Sequence, residues 1–145
     1  MSRYAIIVGA GNGLSAAIAR AAAADGFKLV LAARDIAKLA PMVAEMGARA
    51  IAADASDPVA VERMFAVAER DFGVPELVVF NAGYRARGAI ADIDPAEAEA
   101  ALRNNALAGF LVGQGAARLM LAVGKGSIFF TGATAGVKGF AGSAP

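Results

Sequence analysis

Three glycines at alternate positions separate an apolar run from an alanine-rich run near the start of the chain. Residues 5–26 read AIIVGAGNGLSAAIARAAAADG, with glycine at positions 9, 11 and 13. The short, partly β-branched run before the glycines, residues 4–8, predicts a buried strand. The alanine-rich run after them ends at Asp25 and Gly26, which is typical of a helix C-terminus. A strand, a glycine loop and a helix in this order are compatible with few folds. The glycines have no side chains, which indicates that another group approaches the backbone of the loop.

Four more apolar runs follow, separated by helical segments. The predicted strands are residues 4–8, 28–33, 48–54, 76–83 and 126–132, and the predicted helices are residues 13–25, 35–47, 57–73 and 94–124. Such alternation implies a parallel sheet with helices on both faces. We therefore predict an α/β fold, a Rossmann-type doubly wound parallel sheet that is incomplete at its C-terminal end and forms one dinucleotide-binding domain over residues 1–145.

Local signals set several helix boundaries. Pro41 predicts a short first turn before the main part of the second helix, since proline removes an interior hydrogen bond. Asp57 is expected to cap the third helix, whose apolar face comprises Val61, Met64, Phe65 and Ala68. Asp94 and Glu97 fit a capping box at the start of the fourth helix.

The glycine loop predicts an anion site. In an open parallel sheet, ligands bind beyond the carboxyl ends of the strands where the strand order reverses, and the N-terminus of the next helix attracts anions there. We interpret Gly9, Gly11 and Gly13 as positions where a side chain would obstruct a pyrophosphate. GNGLSA (11–16) matches the dinucleotide fingerprint with alanine last, and GAGNGLS (9–15) matches a second pattern, of two glycines separated by three residues. The alternative is a tight turn that needs only backbone freedom.

The end of the second predicted strand bears on the choice of cofactor. Folds that prefer NAD carry an acidic residue there, whereas this chain has Ala33 followed by Arg34. A guanidinium at that place can bind the additional phosphate of NADP with two hydrogen bonds. The alternative is a surface arginine paired with Asp35. Asp54, at the end of the third strand, is placed to accept a hydrogen bond from the adenine amino group, or else to cap the next helix.

Composition excludes several classes of chemistry. The sequence contains neither cysteine nor histidine, which excludes disulfides, thiol chemistry, the usual zinc sites and a histidine-based triad, and we expect no metal. The net charge of +1 gives no reason to expect a nucleic acid or an anionic membrane as partner. No uncharged run reaches transmembrane length without Gly, Asn or Gln, and the N-terminal run is interpreted as a strand, so we expect a cytoplasmic protein.

Five motifs together resemble the short-chain dehydrogenase/reductase family. VGAGNGLS resembles its glycine loop, and DASD (54–57) resembles its adenine-side stretch. FNAG (80–83) resembles its NNAG motif. NNALAGF (104–110) resembles the helix segment that carries a catalytic Asn, and GSIFFTGATAG (126–136) resembles the strand that delivers the catalytic Ser. The resemblance covers essentially the whole sequence, and the motifs occur in the family's order.

The resemblance implies a nicotinamide-dependent oxidoreductase that acts on a small carbonyl or alcohol, with NADP preferred to NAD. The cofactor-binding residues would be Gly9, Gly11, Asn12, Gly13, Leu14, Arg34, Asp54, Ala55, Asn81, Ala82 and Gly83. The last three would line the nicotinamide-side ribose. Asn105 would hold a water in a proton relay, and we prefer it to the adjacent Asn104 because Phe110 then falls where the family has an aromatic residue. The alternative role of residues 81–83 is a simple turn after the fourth strand, and the alternative role of Asn105 is a polar break in the helix.

Three positions depart from the family pattern. Val8 replaces a usual Thr, and Ser15 replaces the third glycine, which would narrow the loop. The catalytic Ser falls on Ala133. Thr134 is then the candidate catalytic hydroxyl, provided that the loop shifts by one residue.

The proton donor is a fourth departure. In the family it is a Tyr followed four residues later by a Lys, and here Tyr4 and Tyr84 both lack such a lysine. The family spacing would place that Tyr immediately after Pro145.

Three functions follow from these observations. The first is an oxidoreductase of the family. The second is a non-catalytic NADP-binding module or sensor, in which Ala133 reflects lost chemistry. The third, another Rossmann-type binder such as a methyltransferase, fits Arg34 poorly because an unphosphorylated ribose favours an acidic residue. The sequence does not identify the substrate. Residues 95–122 resemble the family's dimer-forming helix, so we expect a homo-oligomer.

Overall fold

The structure is a computed structural model that describes residues 3–142, and its centre is a sheet of five parallel strands. The strands are β1 (Tyr4–Val8), β2 (Lys28–Ala33), β3 (Arg49–Ala52), β4 (Leu77–Phe80) and β5 (Ser127–Phe130). Their spatial order is β3-β2-β1-β4-β5, so the strand order reverses beside β1. The predicted doubly wound parallel sheet is confirmed, and the switch point lies where the glycine loop leaves β1.

Helical segments connect the strands. They are α1 (Leu14–Ala24), a 3₁₀ turn (Ile36–Leu39), α2 (Ala40–Met46), α3 (Pro58–Phe72), α4 (Pro95–Leu102), a π-helical segment (Arg103–Leu107), α5 (Ala108–Val123) and a second 3₁₀ turn (Thr134–Gly136). The predicted division before Pro41 is confirmed, since the first 3₁₀ turn precedes α2 and the proline lies in the first turn of α2. The predicted helix over 94–124 is continuous but contains the π-helical segment, which the sequence did not indicate.

Two apolar cores form because successive side chains of each strand point to opposite faces of the sheet. Tyr4, Ile6 and Val8 join the core beneath α3 and α5. Ala5 and Ile7 join the core beneath α1 and α2. The predicted apolar face of α3 is buried as expected. Both faces of β1 are therefore covered, which holds its carboxyl end, and the loop that follows, at the centre of the molecule.

Aspartates cap two of the helices. The Asp57 carboxylate accepts a hydrogen bond from the backbone N–H of Val59 at 2.9 Å, as predicted for α3. The Asp94 carboxylate accepts one from Ala96 at 2.8 Å. The capping box predicted for α4 is only half present. The Glu97 side chain accepts a hydrogen bond from the Tyr84 hydroxyl at 2.6 Å, because the loop before α4 brings that tyrosine within reach.

Helix α5 packs closely because glycines on it face aromatic rings. A Cβ added to Gly115 would collide with the buried ring of Phe65 on α3. A Cβ on Gly113 would lie 2.9 Å from the ring of Phe130. A Cβ on Gly109 would make an ordinary contact of 3.5 Å with Phe80. The helix axis can therefore approach α3 and β5 more closely than side chains would allow.

The segment Pro95–Val123 is long and apolar enough to cross a membrane by length and composition alone. In the fold, buried apolar side chains recur at a spacing of four along α5, at Ala108, Val112, Ala116 and Met120. They belong to the core shared with α3 and the sheet. This packing gives one face of the helix a partner within the chain, as for the core helix of an α/β domain.

The α5 packing generates a paired prediction. Gly115→Ala should destabilise the fold by about 1–3 kcal/mol, because overpacking against Phe65 outweighs the better helix propensity of alanine. Gly109→Ala should be neutral or up to about 1 kcal/mol more stable, because its Cβ has room. Urea unfolding of both variants measures the two free energies. Equal effects of the two substitutions would contradict the packing described.

Candidate functional site

One cleft of about 390 Å³ lies at the carboxyl ends of the strands, at the switch point of the sheet. It is lined by Val8, Gly9, Ala10, Gly11, Asn12, Ala33, Arg34, Asp35, Lys38, Ala53, Asp54, Ala55, Ser56, Asn81, Ala82, Gly83, Asn104 and Ala108. Nine of the predicted cofactor-binding residues are in this set. The fold thus brings together the ends of β1 to β4, which are far apart in sequence.

The glycine loop and the NAG turn pack backbone against backbone at the base of the cleft. Gly9 has φ +80°, and a Cβ there would overlap the backbone atoms of Asn81 and Ala82. The N–H groups of Gly9 and Ala10 both donate to the carbonyl of Ala32, at 2.9 and 3.0 Å. Gly9 is therefore required by conformation and by space, and its role does not depend on a ligand.

Beyond this contact the loop turns its donors outward. Among residues 3–142, the backbone N–H groups of Asn12, Gly13, Leu14 and Ser15 have no acceptor. They cluster at the N-terminus of α1, where the helix dipole also favours negative charge. A Cβ on Gly11 or Gly13 would meet no atom within 4 Å, so open space borders the loop. This arrangement fits a pyrophosphate.

Ser15 supports the loop from beneath. Its hydroxyl is buried, accepts a hydrogen bond from Gly11 N–H at 2.9 Å and shares its proton between the carbonyls of Gly9 and Gly11, at 3.3 and 3.2 Å. Ser15 does not line the cleft. The expected narrowing of the loop is therefore not observed, because the side chain points into the loop backbone and away from the cleft.

The basic end of the cleft is formed after β2. The Asp35 carboxylate accepts a hydrogen bond from Ala37 N–H at 3.0 Å and lies 3.7 Å from the Lys38 ammonium. The alternative pairing of Arg34 with Asp35 does not occur. Within residues 3–142, the Arg34 guanidinium has no ion-pair partner, and it is exposed at the rim of the cleft. It is free to bind an anion.

Asp54 is held as a carboxylate. Its Oδ1 accepts hydrogen bonds from the backbone N–H and the hydroxyl of Ser56, at 2.9 and 2.8 Å. These bonds, with smaller contributions from the charges of Arg34 and Arg103, hold the pKa of Asp54 below its usual value. The alternative role as a helix cap is wrong, since Asp57 caps α3. Asp54 therefore presents an ionised acceptor to the cleft.

Asn105 lies in the π-helical segment and clamps the loop after β4. Its Oδ1 accepts from Tyr84 N–H at 3.0 Å, and its Nδ2 donates to the Tyr84 carbonyl at 2.8 Å. A Cβ on Gly83 would lie 3.2 Å from Asn105 Oδ1, so glycine gives this clamp room. The water-holding role of Asn105 stays a prediction. Asn104, which borders the first cleft, instead bonds the Ala100 carbonyl.

A second, more apolar cleft of about 640 Å³ adjoins the first at Ala82. Its lining includes Phe80, Phe110, Phe130, Asn105 and Thr131. The structure does not bring every predicted residue to a cleft. Gly13 and Leu14 belong to the start of α1 but do not line either cleft, and Thr134 lies exposed in the second 3₁₀ turn.

The sequence places Thr131 and Thr134 on either side of Ala133, but it assigns no role to Thr131, which lies at the junction of the clefts. The Thr131 hydroxyl donates to Asn81 Oδ1 at 2.7 Å. Thr131 directly follows β5, so the only signal was a hydroxyl residue immediately after an apolar strand.

The combined site could hold an extended ligand with two or more phosphates. Within residues 3–142, the backbone amides at the start of α1 lack acceptors and lie beside the cleft. The Arg34 guanidinium lies at one end of the cleft, and the NAG turn lies at the other end. Residues 3–142 contain no group of three acidic side chains that could hold a metal ion.

Comparison with known proteins gives one family. The family described as short chain dehydrogenase matches residues 3–145. Versicolorin reductase 1 from Aspergillus parasiticus is 35% identical over 143 residues, which cover 94% of this chain and 54% of the relative. The chain thus spans about half the length of the curated relatives it matches.

Solved structures agree with the sequence comparison. A short-chain dehydrogenase from Rhodopseudomonas palustris superposes with a TM-score of 0.89 at 35% identity, covering 98% of this chain and 69% of that one. A variant of the actinorhodin polyketide ketoreductase with NADPH superposes with a TM-score of 0.94 at 25% identity, covering 99% and 57%.

The loop geometry generates a prediction about Ser15. Ser15→Ala should cost about 0.5–1.5 kcal/mol of unfolding free energy, because it removes the acceptor of the partly buried Gly11 N–H. Ser127→Ala, which removes an exposed hydroxyl on β5, should stay within about 0.5 kcal/mol. Chemical denaturation compares the two. If Ser15→Ala unfolds at the wild-type denaturant concentration, the hydroxyl does not support the loop.

Proposed function

The chain belongs to the short-chain dehydrogenase family, and on this premise we propose that it is an oxidoreductase that transfers hydride between NADP(H) and a carbonyl or alcohol substrate. One observation carries the proposal. One cleft at the switch point joins the NAG turn to the amides at the start of α1 and to Arg34, which have no partner within residues 3–142. These are the groups that a phosphorylated dinucleotide requires.

Two observations support NADP over NAD. Ala33 provides no carboxylate for the ribose hydroxyls, and Arg34 lies free at the rim of the same cleft. The actinorhodin ketoreductase that superposes on this chain contains NADPH. A planar guanidinium binds phosphate with two charge-assisted hydrogen bonds, whereas NAD offers it only neutral hydroxyls.

Five groups of the cleft then have a role in binding. The amides at the start of α1 hold the pyrophosphate, and Arg34 holds the additional phosphate. The ionised Asp54 accepts from the adenine amino group, and Ala55 lies beside it along the wall. The NAG turn, residues 81–83, lines the ribose at the nicotinamide end. When bound, the nicotinamide supplies or accepts the hydride.

The proton required at the substrate oxygen has no evident donor among these residues. Ala133 has no hydroxyl, and neither Tyr4 nor Tyr84 is followed four residues later by lysine. Tyr84 is also held by the clamp from Asn105 and by Glu97, which raises its pKa through the hydrogen bond to the Glu97 carboxylate. We propose that residues 1–145 bind and position the cofactor, and their sequence lacks the family's Tyr–Lys pair for proton transfer.

Ala133, which lacks the family's catalytic hydroxyl, favours a second function that can be distinguished from the oxidoreductase. A non-catalytic NADP-binding module or sensor needs the same cleft and no proton donor. A longer parent chain separates the two. A Tyr directly after Pro145, with a Lys four residues later, supports the oxidoreductase, whereas another residue pair supports the binding module.

Assembly and location complete the proposal. We expect a homo-oligomer formed through the segment Pro95–Val123, which exposes the apolar side chains of Leu102 and Leu121. Exposed apolar side chains that form a patch favour a protein partner. We propose a cytoplasmic location and a small-molecule substrate, with neither nucleic acid nor membrane as partner.

The choice of cofactor is testable by calorimetric titration of the 145-residue chain. NADP(H) should bind at least about tenfold more tightly than NAD(H), because charged hydrogen bonds contribute about 1.5–3 kcal/mol. Arg34→Ala should remove this preference and leave the affinity for NAD(H) unchanged. Arg20→Ala is the matched control, since Arg20 is an exposed arginine paired with Glu45 outside the cleft. Equal affinities for the two cofactors in the wild type would refute the assignment of Arg34.

The absence of a proton donor predicts binding without turnover. The 145-residue chain should bind NADPH yet oxidise it with carbonyl substrates only near the background rate, because general acid catalysis contributes about 10²–10⁴-fold. Absorbance of NADPH in the presence of a panel of ketones and aldehydes measures this. Turnover at ordinary enzyme rates would show that another group within these residues donates the proton.

A further inference from the structure

We propose that Thr131 is a positioning residue of the cofactor site, whose hydroxyl orients the side-chain amide of Asn81 toward the cleft. This inference rests on the proposed cofactor function. Thr131 lies directly after β5, whereas the sequence predicts Thr134 as the functional hydroxyl of that region.

The backbone fixes both residues in register. Phe80 and Phe130 are paired neighbours in the β4–β5 ladder, and Thr131 N–H donates to the Phe80 carbonyl at 3.0 Å. Asn81 N–H donates to the Val8 carbonyl at 2.8 Å. Asn81 and Thr131 thus continue the ladder by one step past the strand ends. Paired residues of parallel strands place their side chains on the same face of the sheet.

The side-chain hydrogen bond determines which end of the Asn81 amide faces the cleft. The distance from Thr131 Oγ1 to Asn81 Oδ1 is 2.7 Å, the usual length for an O–H donor and an oxygen acceptor and shorter than the usual N–H···O distance. Oδ1 is therefore held toward β5. Nδ2 has no acceptor among residues 3–142, and its two N–H groups are available to the cleft that Asn81 lines.

The position of the pair gives this orientation a consequence. Asn81 lines the cofactor cleft, and Thr131 borders the apolar cleft beside it. With Oδ1 engaged, the amide presents donors and no competing acceptor to the ribose end of the cofactor. Without the hydroxyl, the amide is free to rotate, and the donors are oriented only part of the time.

Titration with two ligands tests the assignment. Thr131→Val keeps the side-chain shape and removes the hydroxyl, so it should weaken NADPH binding about threefold to tenfold, the equivalent of one neutral hydrogen bond. Binding of 2′,5′-ADP, which contains only the adenosine and phosphate end, should be unchanged. Thr131→Ser should restore NADPH affinity, and Ser127→Ala, at the other end of β5, should alter neither ligand.

A double-mutant cycle shows whether the effect passes through Asn81. Thr131→Val should have little further effect on NADPH affinity in an Asn81→Ala background, since the amide to be oriented is gone. Unchanged NADPH affinity in Thr131→Val, equal weakening of NADPH and 2′,5′-ADP, failure of Thr131→Ser to restore binding, or full additivity in the cycle would each overturn the proposal. A wild-type chain that binds neither ligand would instead overturn the proposed function and this inference with it.

Discussion

The rest of the site depends on the contact between the Gly9 backbone and the backbone of Asn81 and Ala82. Any side chain at Gly9 would overlap that backbone, and the positive φ of Gly9 is one that L-residues rarely adopt. The contact joins the end of β1 to the end of β4, while the Ala32 carbonyl, which accepts from Gly9 and Ala10, joins β2 to the same point. Three strand ends are thus fixed together, and the remaining amides of the loop point outward.

Helix α5 fixes the opposite wall by close packing. Glycines facing Phe65 and Phe130 let the helix approach α3 and β5, and the π-helical segment precedes it on the same continuous helix. One additional residue in a helical turn changes the direction of the side chains there. Asn105 consequently reaches the backbone of Tyr84 with both ends of its amide, and Asn104 lies at the first cleft. That clamp joins the loop after β4 to the helix.

Two hydroxyl groups show how tertiary contacts reassign residues that the motifs leave ambiguous. Ser15 replaces a glycine of the family loop, yet its buried hydroxyl bonds the loop backbone. Thr131 lies directly after β5 and bonds the Asn81 side chain. Thr134, closer in sequence to the position of the family's catalytic Ser, lies in an exposed turn. Proximity in sequence to a motif therefore did not indicate which hydroxyl reaches the site.

The sequence by itself determined the strands, their parallel arrangement, the switch point and half of the residues that line the cleft. Apolar runs of strand length alternating with amphipathic helices permit few other packings, and the carboxyl ends of parallel strands converge on one edge. Only the tertiary structure decided the π-helical segment, the pairing of Glu97 with Tyr84, the support of the loop by Ser15 and the bond between Thr131 and Asn81. For the two side-chain pairs the physical reason is range: periodicity and capping report on neighbours within a turn or two, whereas the Tyr84–Glu97 and Thr131–Asn81 bonds connect residues 13 and 50 positions apart, brought together only by the folded chain.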